Sequence, residues 1–143
     1  MKPTICPYCG GAVKFKDSKV IYGTSYGMVY ICEHYPKCDA FVGVHTGTKK
    51  SLGRLANPEL REWKKRAHRN FDPIWKYRLF KTGSKMSRSH GYAWLASKMG
   101  LNIESCHIGM FNVENCKKVV DICVDVYKSR PAIKAYAKRL YGK

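Results

Sequence analysis

The chain has 143 residues, with 27 Lys and Arg against 10 Asp and Glu, so its formal net charge is +17. Its composition, 45% hydrophobic and 13% aromatic, is rich enough in apolar side chains to exclude bulk disorder, and its length excludes a large multidomain enzyme. So large a positive excess favours polyanions as partners, nucleic acid before an acidic protein or an anionic membrane.

No segment of the sequence has the roughly 18 to 20 consecutive apolar residues that a membrane span needs. The first seven residues also lack the apolar core of a signal peptide. We therefore expect a cytoplasmic protein that does not enter a membrane. Because thiols in that compartment stay reduced, the seven cysteines favour metal binding over disulfides.

The first third of the chain has the pattern of short strands joined by turns. Val13 and Phe15 alternate with lysines, residues 28–32 form a β-rich run, and residues 40–44 form another. The hydrophobic period then changes from two to 3.6 between residues 46 and 56. We therefore predict a β module at residues 1–48 and a basic helical region at residues 49–143.

Four cysteines of the β module have the spacing of a zinc site. Cys6 and Cys9 form one short pair, and Cys32 and Cys38 form a second. Two such pairs complete a tetrahedral four-thiolate shell, which leaves no open position for a substrate. We predict one structural Zn²⁺ and leave His34, inside the second pair, without a metal bond. A module this small buries little apolar surface, so the ion stabilises its fold.

The helical region carries clear start and stop signals. Asn57 and Pro58 predict the start of a helix that Asp72 and Pro73 end, with a basic connector following. Further helices are expected from Ser87 to Gly100, after Asn112, and from Pro131 to about residue 141. The predicted fold is α+β: an N-terminal four-cysteine zinc ribbon of short antiparallel strands, followed by three to four α-helices.

The cysteine motifs also carry a resemblance. Cys6-Pro-Tyr-Cys9-Gly10 and Cys32-Glu-His-Tyr-Pro-Lys-Cys38 resemble the zinc ribbons at the C-terminal end of type IA DNA topoisomerases, over residues 5–42. An insertion at residues 18–27 departs from that pattern. Residues 20–27, 39–47, 52–57 and 107–111 are similar to a family of zinc-finger-containing proteins of phages and prophages, over nearly the whole chain. This resemblance implies a zinc finger and a phage or prophage origin.

Aromatic and basic residues are the candidate nucleic-acid contacts. Rings can stack on the bases of a single strand, and cations can follow its phosphates. The first predicted helix also has a cationic face, with few acids to balance it. The predicted contacts are Tyr8, Lys14, Lys16, Tyr35, Lys37, Arg61, Lys64, Lys65, Arg69, Lys76 and Arg78. The ordinary alternative is that most rings form the ribbon core and the cations only solvate the surface.

We therefore predict a non-catalytic nucleic-acid-binding accessory protein, encoded by a phage or prophage, that acts in the host cytoplasm. DNA is favoured over RNA by the topoisomerase resemblance alone, and no small-molecule substrate is expected. One alternative is a phage factor that binds a host protein by charge complementarity. Another is a metal-dependent nuclease of the HNH type, because His45, Asn57 and His68 follow the order of its site residues.

Overall fold

The computed structural model describes residues 2–141, which form two compact units that divide between Glu62 and Trp63. The first unit contains a three-stranded antiparallel sheet and the second is helical, which confirms the predicted α+β class. Within residues 2–141, no helix has the length and apolarity needed to cross a membrane.

The sheet of the N-terminal unit is built from β1 (Val13–Asp17), β2 (Met28–Cys32) and β3 (Phe41–Gly43). Its strand order is β1-β2-β3, and the register pairs Phe15 with Tyr30 and Tyr30 with Val42. All three strands lie where the alternation at Val13 and Phe15 and the β-rich runs at residues 28–32 and 40–44 predict them. A short helix, α1 (Lys19–Tyr22), occupies the insertion between β1 and β2.

Side chains beyond residue 48 complete the core of this unit. Leu55 is buried together with Cys6, Tyr30, Cys32, Ala40 and Val42. The backbone of Ala56 pairs with that of Phe41, and Ser51 pairs with Val44. The compact unit therefore extends to Glu62, past the boundary at residues 48 and 49 that the change of period predicts, because the segment after β3 returns to the sheet.

Helix α2 (Pro58–Thr82) begins as predicted but continues through the proline that was expected to end it. Asn57 caps its start, since its Oδ1 accepts the N–H of Leu60 at 2.9 Å. The predicted stop at Asp72 and Pro73 is wrong. Proline removes one helical hydrogen bond and displaces nearby carbonyls, and here the Tyr127 hydroxyl donates to the carbonyl of Asn70, while the ring of Pro73 is fully buried.

The C-terminal unit adds helices α3 (Ser87–Met99), α4 (Val113–Ser129) and α5 (Pro131–Tyr141), with two 3₁₀ turns between α3 and α4. The predicted signals are confirmed: Gly100 ends α3 in the left-handed region at φ 69°, and Asn112 caps α4 through the N–H of Asn115. The core of the C-terminal unit contains Phe71, Leu95, Ile108, Phe111 and Val119, together with three buried thiols, Cys106, Cys116 and Cys123.

Candidate metal centre and nucleic-acid surface

Two tight backbone turns bring the four predicted ligands together. In the first turn, the N–H of Cys6 donates to the carbonyl of Gly11 at 2.8 Å, and the N–H of Gly10 donates to the carbonyl of Cys6 at 3.0 Å. Gly10 has φ +76°, and a Cβ at Gly11 would lie 2.7 Å from a ring nitrogen of His34. The second turn is closed by the N–H of Tyr35, which donates to the carbonyl of Cys32 at 3.0 Å.

The sulfur positions fit a tetrahedral metal. All four Sγ atoms lie within 4.8 Å of one another, with Cys6 and Cys38 at 3.7 Å and Cys9 and Cys32 at 3.4 Å. A four-thiolate zinc site with bonds of about 2.3 Å needs sulfur separations of about 3.8 Å. Among residues 2–141, this cluster is the only group of three or more His, Cys, Asp or Glu side chains that could hold an ion.

Hydrogen bonds around the sulfurs favour thiolates. The N–H groups of Gly11 and His34 point at Cys9 and Cys32, each at 3.4 Å. The contact between the His34 ring and Cys9, at 3.5 Å, is the main reason that the pKa of Cys9 is lowered to about 6, and the Gly11 N–H adds to it. Burial raises the pKa of Cys32 and Cys38 instead. A metal must therefore displace protons, and its affinity falls in acid.

Four protein ligands close the coordination shell, and the ion that fits it is a single structural Zn²⁺. His34 lies outside this group of ligands and beside Cys9. The remaining thiols, Cys106, Cys116 and Cys123, are fully buried, and none belongs to a group of three or more possible ligands among residues 2–141. They act as small apolar core residues.

Glu33 is a site residue that the sequence reasoning missed. Its carboxylate accepts the N–H of Ala12 at 2.6 Å, and its own N–H donates to the carbonyl of Ala12 at 2.9 Å. These two bonds join the second cysteine turn to the first. Its position next to Cys32 in the sequence is the only signal that could have found it.

The predicted contacts of the N-terminal unit converge in part. Lys14 and Lys16 extend from β1, and with Tyr35 they line a groove of about 310 Å³, which Glu33 also borders. Lys37 is exposed. Tyr8 is 41% exposed, but its hydroxyl donates to the Leu55 carbonyl at 3.1 Å, so the ring is fixed against the unit's own backbone.

Aromatic rings form a continuous patch in the same unit. Tyr22 contacts Tyr26 and Phe41 edge to face, with ring centroids 5.5 and 6.4 Å apart, and Tyr35 contacts Phe41 at 6.2 Å. We call these four rings the aromatic patch. Tyr26 is 77% exposed and Tyr22 55%. A groove of about 690 Å³ runs beside Tyr22, Tyr26, Phe41 and Lys49.

Arg61 has internal partners within the N-terminal unit. Its guanidinium donates to the carbonyl of Ala56 at 2.8 Å and to that of Asp39 at 3.3 Å. It also pairs with the Asp39 carboxylate at 3.1 Å and lies over the Phe41 ring, 4.3 Å from its centroid. The arrangement gives this arginine a structural role that its place on a predicted cationic face does not reveal.

The other predicted contacts on α2 differ in their surroundings. Lys65, Arg69 and Arg78 are exposed, and Lys64 and Lys76 are half-buried. Arg69 lies over the ring of Tyr141 and Lys76 over that of Trp75. Cations stacked in this way keep their charge while covering apolar surface.

The three residues of the nuclease alternative have separate environments. His45 is exposed in the loop after β3, and Asn57 caps α2. A ring nitrogen of His68 lies 3.5 Å from the carboxylate of Asp72. Within the described chain, none of the three belongs to a group that could hold a metal.

A small antiparallel sheet with two cysteine turns around four sulfur atoms defines a zinc-finger protein. Comparison with family models agrees with this class. The chain belongs to the zinc-finger-containing domain family, whose model matches residues 2–126. Comparisons with curated proteins and with solved structures found no match.

Proposed function

We propose that this protein is a non-catalytic accessory factor of a phage or prophage that binds nucleic acid, DNA in preference to RNA. The observation that carries the proposal is the aromatic patch, which has cations beside it in one small unit. Lys14 and Lys16 line a groove with Tyr35, and Lys49 lines the groove along Tyr22 and Tyr26. Exposed rings with cations alongside are what a single strand needs for stacking and phosphate contact.

The zinc supplies rigidity in this proposal and no chemistry. The cluster holds the turn that carries Tyr35 next to β1, and the hydroxyl of Tyr30 donates to the carbonyl of Lys49 at 2.5 Å, which fixes the loop after β3. Rings and cations held in place lose less conformational entropy on binding than mobile ones. The net charge of +17 adds a long-range attraction that does not depend on sequence.

Fluorescence anisotropy with labelled single-stranded DNA, duplex DNA and matched RNA, at several salt concentrations, tests the proposal. Tyr26→Ala is expected to weaken single-strand binding by about 1–3 kcal/mol and duplex binding less, because only a free base can stack on the ring. Lys14→Ala with Lys16→Ala is expected to weaken both and to reduce the salt slope by up to about 0.9 per lost phosphate contact on duplex.

The matched control is Lys98→Ala with Lys138→Ala, which removes the same charge from exposed positions of the helical unit. Equal losses in both double variants would mean that net charge, and not the patch, determines binding. Absence of any binding by the wild type at low salt would reject the nucleic-acid function. DNA cleavage in Mg²⁺ or Mn²⁺ that His45→Ala abolishes would reject the non-catalytic role.

A further inference from the structure

The helical unit contains a third groove, which the nucleic-acid proposal does not use. It is a groove of about 650 Å³, a volume typical of ligand sites. Its apolar lining comes from all four helices and includes Ile74, Trp75, Trp94, Val126 and Ile133. Gly91 lets α3 approach α2 closely here, since a Cβ at this position would lie 2.8 Å from the Cβ of Trp75. We call this surface the helical groove.

Charge at the helical groove has one sign. Arg78, Lys81 and Arg130 are exposed and line it, together with His90. Among the residues that the structure describes, no Asp or Glu belongs to its lining. An occupant that carries negative charge beside an apolar group is therefore complementary to it.

The polar groups of the lining favour an apolar side chain over a nucleobase. The hydroxyl protons of Thr82, Ser87 and Ser129 are donated to the carbonyls of Arg78, Ser84 and Val126, at 2.8, 2.8 and 3.2 Å. The indole N–H of Trp75 donates to the carboxylate of Asp72 at 3.1 Å. These four donors are already engaged, so none of them is free for the polar edge of a base, whereas Leu, Ile or Phe requires no donor at all.

We propose that the helical groove binds an acidic amphipathic helix of a partner protein. Apolar side chains of that helix lie against Trp75 and Trp94, and its carboxylates face Arg78, Lys81 and Arg130. The mode is the burial of an apolar helix face in a groove, with flanking charges that set orientation and specificity. The proposal does not depend on nucleic-acid binding by the sheet unit, and it gives Arg78 a different partner from the one that the sequence suggested.

The test uses the full-length, zinc-loaded protein carrying Trp63→Phe, because Trp63 does not line the groove and Trp75 and Trp94 then report on it. The probe is a tryptophan-free peptide of about 16 residues with leucines at helical spacing on one face and Glu and Asp on the other. A scrambled peptide and a peptide with Lys in place of the acids are the controls. We expect a saturable change in tryptophan fluorescence with the acidic amphipathic peptide only.

Arg78→Glu with Arg130→Glu is expected to weaken peptide binding about tenfold or more at low salt, since each substitution replaces an attraction with a repulsion. The matched control, Lys98→Glu with Arg139→Glu, makes the same charge change at exposed residues outside the groove and is expected to retain near-normal affinity. Circular dichroism of both double variants verifies that the helices remain folded.

Three results would overturn the proposal: no saturable binding of the acidic peptide, equal binding of the scrambled peptide, or equal weakening by both double variants. A single-stranded oligonucleotide that displaces the peptide, and whose own binding is lost in Trp94→Ala, would instead make the groove a nucleic-acid site. Tyr26→Ala separates the two proposals, because it should impair oligonucleotide binding and leave peptide binding unchanged.

Discussion

Replacing Arg61 with alanine tests whether a residue of the predicted cationic face instead stabilises the N-terminal unit. The substitution removes three kinds of interaction: two hydrogen bonds to the carbonyls of Ala56 and Asp39, the ion pair with Asp39, and the stack on Phe41. The Arg61 and Asp39 side chains are 29% and 39% exposed, so solvent screens the ion pair, which contributes about 0.5–1 kcal/mol.

The other two kinds of interaction are larger together. Hydrogen bonds from a charged donor contribute about 1.5–3 kcal/mol when buried, and less at this exposure, while the stack contributes about 0.5–1 kcal/mol. These interactions share one guanidinium and are not additive. We expect Arg61→Ala to destabilise the unit by about 2–3 kcal/mol. Arg61→Lys should cost about half as much, because it keeps the charge and loses the planar fork.

Hydrogen exchange measures the effect at the backbone that Arg61 supports. The N–H of Phe41 donates to Ala56 at 3.2 Å, and the N–H of Ala56 donates to Phe41 at 3.0 Å. Opening this pair should become about 30- to 160-fold more frequent in Arg61→Ala. Lys65→Ala, at an exposed position on the same helix, is the control and should stay within about 0.5 kcal/mol of wild type. Unchanged exchange together with a smaller salt slope for DNA binding would refute the reasoning and make Arg61 a phosphate contact.

Two further predictions concern the metal and pH. Cys38→Ser should lose the zinc, measured as metal per chain, and unfold the sheet while most helical circular dichroism remains, whereas Cys116→Ser should keep one zinc. Burial opposes ionisation of Asp72, but its hydrogen bonds with His68 and Trp75 outweigh burial and lower its pKa. Its contribution to stability is therefore present above the unfolded pKa, near 3.9, and is lost as pH falls through the lower folded value. In Asp72→Asn, the free energy of unfolding, followed by tryptophan fluorescence, should fall less as the pH is lowered than it does in the wild type. The same decrease in both proteins would contradict the role given to the Asp72 carboxylate.

Features set by local chemistry could be predicted from the sequence. The spacing of Cys6, Cys9, Cys32 and Cys38 identified the cluster, since four thiolates around one ion restrict the turns that can carry them. Asn57, Gly100 and Asn112 marked helix ends because a cap depends on neighbouring residues. The first strand followed from alternation, and the other two followed from short runs of β-favouring residues.

Features set by distant residues could not. Pro73 lies within α2, and the carbonyl of Asn70, three residues before it, accepts a hydrogen bond from the hydroxyl of Tyr127 on another helix. The role of Arg61 depends on Asp39, which lies beside the last zinc ligand. Neither partner is near in sequence, so the sequence alone predicts that α2 ends at Pro73 and that its cationic face is exposed to solvent.

The same limit applies to the reading of charge. A cationic face predicted from the sequence takes no account of the contacts that its basic side chains make. On α2, Arg61 binds carbonyls, Arg69 lies over Tyr141 and Lys76 lies over Trp75. Such residues still add to the field that attracts a polyanion, because stacking does not remove their charge. Arg61 differs from the other two, because its guanidinium already binds two carbonyls and a carboxylate and has fewer donors left for a phosphate. In the nucleic-acid binding that we propose, net charge determines how readily the polyanion approaches, while the slope of affinity against salt counts only the phosphates contacted, at about 0.9 each on duplex DNA. We therefore expect Arg61→Ala to leave the slope nearly unchanged, and a decrease of about 0.9 would mean that Arg61 leaves Asp39 and contacts a phosphate on binding.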